Sequence, residues 1–250
     1  MTGRPAVLVI AGSDSSGGAG IVRDITVLTD LGVDALCAIS AVTAQTHSHV
    51  VSVLHVPPEI VRTQIRAALE SATVGAVKIG MLGTSATVSA VADSLPRGGS
   101  IPIVLDPVLL SSSGGVLLDA EGQAEMRTRL FPLATVLTPN IPEAATLCAT
   151  AAARSREESL EQARSLLAMG ARAVLLKGGH AEGTEAADLL LTARGAPQWL
   201  SSPRLEARCR GTGCALASAI AAGLATGQSV EDACRNAKEY VLSMLAARSS

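Results

Sequence analysis

Short, almost uninterrupted apolar runs alternate along this chain with longer stretches in which apolar residues recur every three or four positions. The runs Ala6–Ala11, Ala76–Ile79, Ile101–Leu105, Thr135–Leu137 and Ala173–Leu176 predict strands covered on both faces. Between them the period is helical. Ile21, Ile25, Leu28 and Leu31 share one face, and Gly32 ends that segment. Pro58 stands where a first helical residue belongs, ahead of Ile60, Val61, Ile65 and Leu69. Ser155 and Glu158 have capping-box spacing before Leu160, Ala163, Leu166 and Leu167, and Gly170 stops that helix. Ser229 and Asp232 open the last helix with similar spacing. Strand and helix in alternation predict an α/β fold, with a mainly parallel central sheet and helices on both faces. The Gly- and Ser-rich loops at 95–100 and 112–115 are short, so residues 1–250 read as a single domain.

Composition narrows the partners. Hydrophobic residues make up 48% and charged residues 17%, enough for a large core. A net charge of −2 carries no basic footprint for nucleic acid. Phe131, Trp199 and Tyr240 are the whole aromatic supply, too few for a base-stacking platform. We expect no leader peptide, because Ala6–Ala11 is strand-length, and no membrane span, because no apolar stretch reaches about 18 residues. Five scattered cysteines without a CxxC spacing point to a reduced, cytoplasmic setting.

In such folds ligands bind beyond the carboxyl ends of strands, at helix starts. Four clusters occupy such places. Gly12 to Gly20 follows the first strand; its glycines allow close backbone approach and the helix start offers free N–H groups, or it is a plain flexible turn. Arg210-Gly211-Thr212-Gly213-Cys214 precedes an Ala-rich helix, Ala215 to Leu224. There the helix field is expected to lower the thiol's pKa toward a thiolate; alternatively Cys214 is a small buried hydrophobe. Asn140 and Glu143 offer two oxygen ligands for Mg²⁺, or cap a helix reciprocally. Lys177, at a strand tip before Gly178 and Gly179, suits a phosphate or a surface turn. Asp106, after the Ile101–Leu105 run, reads as an acid standing one step behind the metal. His47, His49 and His55 lack a carboxylate or thiol partner and read as loop or pocket-rim groups.

Taken in order, these segments resemble the hydroxymethylpyrimidine (phosphate) kinase family of the ribokinase-like superfamily. The resemblance is carried by AGSDSSGGAG at Ala11–Gly20, Ala44-Gln45, KIGML at Lys78–Leu82, LDPV at Leu105–Val108, TPNIPEA at Thr138–Ala144, LLKGGH at Leu175–His180 and GTGC at Gly211–Cys214. It implies a three-layer α/β/α fold, use of ATP and Mg²⁺, a homodimer, and phosphorylation of 4-amino-5-hydroxymethyl-2-methylpyrimidine, its monophosphate, or both, in thiamin biosynthesis. By the same resemblance Gly12, Ala19, Asp24, Gln45, Met81 and Val108 form the pyrimidine pocket. Asn140 and Glu143 organise hydrated Mg²⁺, Lys177 meets the ATP phosphates, Gly211, Thr212 and Gly213 form an anion hole, and Cys214 is the base. Departures from the family are Arg210 for its His, Ala215 for Thr or Ser, Thr46 to His49 for Asn-Thr-x-Gly, and Ser112 for a loop lysine. We also expect no counterpart, after Ser250, of the family's Gly- and His-bearing tail. These changes bear on phosphorylation of the monophosphate more than of the alcohol. A pyridoxal kinase of the same branch and a non-catalytic ligand-binding relative are the alternatives. A Gln45 amide pairs with an aminopyrimidine edge, whereas pyridoxal has no amino group to match.

Overall fold

The computed structural model describes residues 4–46, 49–111, 114–178, 185–205 and 210–247. Its strands are β1 (Ala6–Asp14), β2 (Asp34–Gln45), β3 (Val50–His55), β4 (Val74–Ile79), β5 (Ile103–Leu105), β6 (Val136–Leu137), β7 (Ala173–Leu176), β8 (Glu185–Thr192) and β9 (Gln198–Pro203). They form one sheet in the order β3-β2-β1-β4-β5-β6-β7-β8-β9. From β2 across to β7 every neighbouring pair is parallel. Antiparallel strands close both edges: β3 beside β2, and β8 with β9 beside β7.

Because successive side chains on a strand point to opposite faces, each apolar run feeds two cores at once. Along β1, Leu8 and Ile10 join one core while Val7, Val9 and Ala11 join the other. The first core is covered by α2 (Pro58–Ser71), α3 (Ser85–Ser94), α4 (Ala120–Arg129), α5 (Ile141–Cys148) and α6 (Arg156–Ala168). The second is covered by α1 (Gly20–Asp30), α7 (Thr212–Ala225) and α8 (Val230–Ala246). The result is the expected three-layer α/β/α arrangement. α7 buries almost nothing but alanine, leucine and isoleucine, and these small residues bring it close to the sheet: a side chain on Gly75 would stand 3.0 Å from the Ala225 carbonyl. Close packing of this kind fills a core without aromatic residues.

The local signals act where the spacing puts them. Pro58 is the first residue of α2, and Ser155 and Ser229 accept hydrogen bonds from the amides of Glu158 and Asp232 at 3.2 and 3.1 Å. Gly32 (φ 72°) and Gly170 (φ 115°) take the left-handed conformations that end α1 and α6. β2, β3, β8 and β9, at the two sides of the sheet, were not expected, because polar residues interrupt their apolar pattern. Nor were α3 and α4, whereas the start of α5 was one of the two readings of the Asn140–Glu143 spacing. No helix among the described residues is long and apolar enough to cross a membrane.

Candidate active site

All six parallel strands run in one direction, so the segments that follow them meet along one edge of the sheet. After β1 the chain turns on Asp14, whose Oδ1 accepts from the amide and hydroxyl of Ser16 at 2.8 and 2.7 Å. α1 then starts at Gly20 (φ 59°), where any side chain would collide with the Gly12 carbonyl. Gly211 (φ 73°), at the start of α7, is pressed in the same way against the Gly18 carbonyl. These two helix starts carry neither a side-chain cap nor an acidic first turn, unlike α4, α5, α6 and α8. Their free N–H groups and positive dipole ends face the same space.

Three of the sequence clusters converge at the start of α7. Lys177 Nζ binds Asp106 Oδ1 at 2.8 Å, and Thr138 Oγ1 donates to the same oxygen at 3.2 Å. A side chain on Gly213 would stand 3.3 Å from Lys177 Nζ and 3.7 Å from Asp106 Oδ2. Glycine there therefore lets the start of α7 come close to a lysine and a carboxylate. Burial alone would lower the Lys177 pKa, but the carboxylates of Asp106 and Glu143 raise it, so the charge is secure. Behind it, Gly178 N donates to Asp188 Oδ1 at 2.8 Å, and Lys238 holds Oδ2 at 2.7 Å. His180 of this motif lies outside the described residues.

Asn140 and Glu143 form a complete capping box on α5: Asn140 Oδ1 accepts from Glu143 N, and Glu143 Oε2 accepts from Asn140 N, both at 2.8 Å. Capping and metal binding are compatible, because each oxygen keeps a further lone pair. Burial pushes the Glu143 carboxyl up to about 7, opposed by Lys177 and reinforced by Asp106. The Lys177 ammonium faces both carboxylates. Among the described residues there is no cluster of three or more His, Cys, Asp or Glu able to cage a metal. That donor set fits Mg²⁺, which keeps most of its water, better than a fully caged ion.

Of the residues expected in the pyrimidine pocket, Gly12 lies against Met81, Ala19 is the residue before α1, and Val108 follows β5 half-exposed. Gln45 ends β2, its backbone N–H and C=O both bonded to Ser15 Oγ, at 2.8 and 3.0 Å. Asp24 departs from expectation. It has no exposed surface; Lys78 Nζ takes Oδ2 at 2.9 Å and Ser218 Oγ takes Oδ1 at 2.8 Å. It sits beneath the pocket as the partner of a buried lysine and does not line it.

Cys214 requires a second correction. Burial pushes its thiol up to about 11, against the pull of Lys78, so the expected lowering by the helix start is overridden. Lys78 itself was quoted in a motif but given no role. Burial would lower its pKa, yet Asp24, Cys214 and Asp106 raise it well above the ordinary range. A lysine inside an otherwise apolar strand was the available signal. His49 bonds Thr46 between β2 and β3, and His55 ends β3 beside Gly83 and Met81; His47 and Ser112 fall outside the described residues. A separate hollow lined by Leu31, Val33, Ala222 and Tyr240 lies at the opposite ends of α1 and α7, away from these groups.

Comparison with known proteins identifies the family. Residues 14–250 match the family model described as phosphomethylpyrimidine kinase. The chain is 46% identical over 245 residues to the hydroxymethylpyrimidine/phosphomethylpyrimidine kinase of Streptomyces coelicolor, covering 97% of this chain and 89% of that one. A phosphomethylpyrimidine kinase structure from Clostridium difficile superposes with a TM-score of 0.84 at 33% identity, covering 96% and 99% of the two chains. The Staphylococcus aureus pyridoxal kinase in complex with AMP-PCP and pyridoxal superposes with a TM-score of 0.88 at 28% identity, covering 97% and 88%.

Proposed function

This chain belongs to the phosphomethylpyrimidine kinase family, and from that premise we propose that it phosphorylates 4-amino-5-hydroxymethyl-2-methylpyrimidine with ATP in thiamin biosynthesis. The hydroxymethyl oxygen attacks the γ-phosphorus, the bond to the bridging oxygen breaks, ADP leaves, and the alcohol loses its proton. The observation that carries this reading is the start of α7, where Gly213 lies against Lys177 and its partner Asp106. Phosphoryl transfer is chiefly positioning and charge neutralisation, and a helix start beside a lysine can supply both.

Lys177 and the amides of Gly211, Thr212 and Gly213 hold the phosphates. Asn140, Glu143 and Asp106 would hold a Mg²⁺ ion, which would supply charge neutralisation at the phosphates. Gly12, Ala19, Gln45, Met81 and Val108 hold the ring, with Asp24 supporting them from below through Lys78. Cys214 receives the proton; it acts only as thiolate, and Lys78 is the buried cation that favours that form. The monophosphate is the second acceptor, and the protein works as a cytoplasmic homodimer.

A coupled ADP-release assay with hydroxymethylpyrimidine, its phosphate and pyridoxal tests the reading. We expect ADP formation with the first above both others. A preference for pyridoxal moves the chain to the sister activity, and no turnover with any of the three leaves a non-catalytic ligand-binding protein.

A further inference from the structure

The loop after β1, the end of β2 and the start of α7 each carry part of the proposed site, and one residue at the start of the third reaches the other two with its side chain. Arg210 Nη1 donates to the Thr46 carbonyl at 2.7 Å and lies 3.4 Å from Ser16 Oγ. Nη2 stands 3.7 Å from Asp14 Oδ2, with the two side chains 21% and 2% exposed. Its backbone leads directly into Gly211, locked against the Gly18 carbonyl. Each segment so joined is one residue from a proposed pocket group: Gln45 precedes Thr46 and Ala19 follows Gly18.

We propose that Arg210 is a positioning residue that staples the acceptor pocket to the anion loop, so that alcohol and phosphoryl donor meet in register; this rests on the kinase reading above. Asp14 supplies the second observation. It is 3% exposed, its Oδ1 is filled by Ser16, and its Oδ2 has no hydrogen-bond partner among the described residues. A buried carboxylate oxygen without a donor is unfavourable, and Arg210 faces it at ion-pair rather than hydrogen-bond distance. The staple therefore has room to tighten when an acceptor fills the pocket. Ionisation of Asp14 is maintained: burial would push its carboxyl up, but Ser16, Gln45 and Arg210 hold it below the usual range. The planar guanidinium suits the task, since its fork spans a carbonyl and a carboxylate at once, which an ammonium cannot do.

The test compares wild type, Arg210→Ala and Arg210→Lys as full chains. For Arg210→Ala we expect KM for the alcohol to rise about tenfold and kcat to fall about tenfold, in keeping with the loss of charge-assisted hydrogen bonds. Nucleotide affinity, measured by calorimetry without acceptor, should stay within about twofold, because the phosphate-binding groups are untouched. Millimolar guanidinium, well below denaturing levels, should restore part of the lost kcat/KM, and Arg210→Lys should recover only part of it. Hydrogen exchange should quicken in residues 14–18 and 43–46 and stay unchanged in β4 and β5. An Ala variant with kcat/KM near wild type overturns the proposal. So does a loss that guanidinium leaves unmoved while exchange quickens across the whole sheet, which marks Arg210 as a fold support. If the wild type phosphorylates none of the three acceptors, the kinase reading fails, and the exchange pattern still decides whether the staple exists.

Discussion

Lys78 and Asp24 meet at 2.9 Å with neither side chain exposed, and Ser218 fills the remaining aspartate oxygen. Lys177 and Asp106 meet at 2.8 Å on the same sheet, but with 14% and 3% exposure and with the helix start at Gly213 beside both. The residue types and separations match; access differs. A sealed pair has no way to exchange its partner for a ligand, so its charges matter chiefly because neither can be left alone. An open pair can trade part of its mutual attraction for a phosphate or a cation. Charge in a core thus becomes a binding site only where the backbone leaves space beside it.

The sharpest way to break this contrast is to remove one member of the sealed pair. Asp24→Ala leaves Lys78 uncompensated, and we expect a loss of about 3–5 kcal/mol in urea unfolding. Replacing both, as Asp24→Leu with Lys78→Met, should recover most of that loss. A single substitution costing less than about 1 kcal/mol would show that water reaches the pair and that the two sites do not differ in kind. The matching change in the open pair is Lys177→Met. Its main effect should be on turnover, a fall of about 10²–10³-fold, as for removal of one preorganised charge donor. Its unfolding free energy should fall by less than half as much as that of Asp24→Ala, since water can enter beside Gly213 and solvate Asp106. Equal destabilisation by the two variants would erase the distinction.

What the sequence made legible follows the same division. The parallel strands were readable because both their faces are buried, which makes them continuous apolar runs. β2 was not, because DALCAISAVTAQ mixes buried and exposed positions. At the site, Lys177, Asp106, Gly213, Asn140 and Glu143 could be named from strand tips and helix starts, and the structure brings them together. Asp24 was misplaced into the pocket because a motif shows which residues accompany each other and not which way a side chain points. α1 turns Asp24 inward, where Lys78 had already been set by β4. The role of Arg210 depends on contacts with residues 14, 16 and 46, a separation no local pattern encodes.

Cys214 sharpens the comparison from a third side, because it borders the sealed lysine yet opens at the start of α7. With its thiol pushed up to about 11, about one in a thousand is ionised at pH 8. Iodoacetamide labelling of Cys214, followed by peptide mass spectrometry in the absence of ligands, should therefore rise about tenfold per pH unit between pH 8 and 10. A rate already level by pH 8 would show a thiolate that the helix start stabilises after all.

The smallest effect is expected at Glu143, where the cap and the metal reading can be separated. Glu143→Gln retains an oxygen to accept from Asn140 N, so the capping box survives and stability at pH 5, where the native carboxyl is largely neutral, should change by less than about 0.5 kcal/mol. The difference appears with pH in metal-free buffer. In the folded chain burial holds the carboxyl up at about 7, while the unfolded chain has an ordinary carboxylate. Between pH 5 and 7 the folded state therefore binds more protons than the unfolded state, and stability falls as pH rises. The Gln variant has no such proton to lose, so its stability should fall less over that interval, and saturating Mg²⁺ should close the gap by stabilising the ionised wild type. In the assay the same variant should need a few-fold more Mg²⁺ for half-maximal turnover, the modest effect of losing a charged ligand to a hydrated ion. Parallel stability curves for the two proteins, together with an unchanged Mg²⁺ requirement, would reduce Glu143 to a helix cap and leave Asp106 as the acid beside the phosphates.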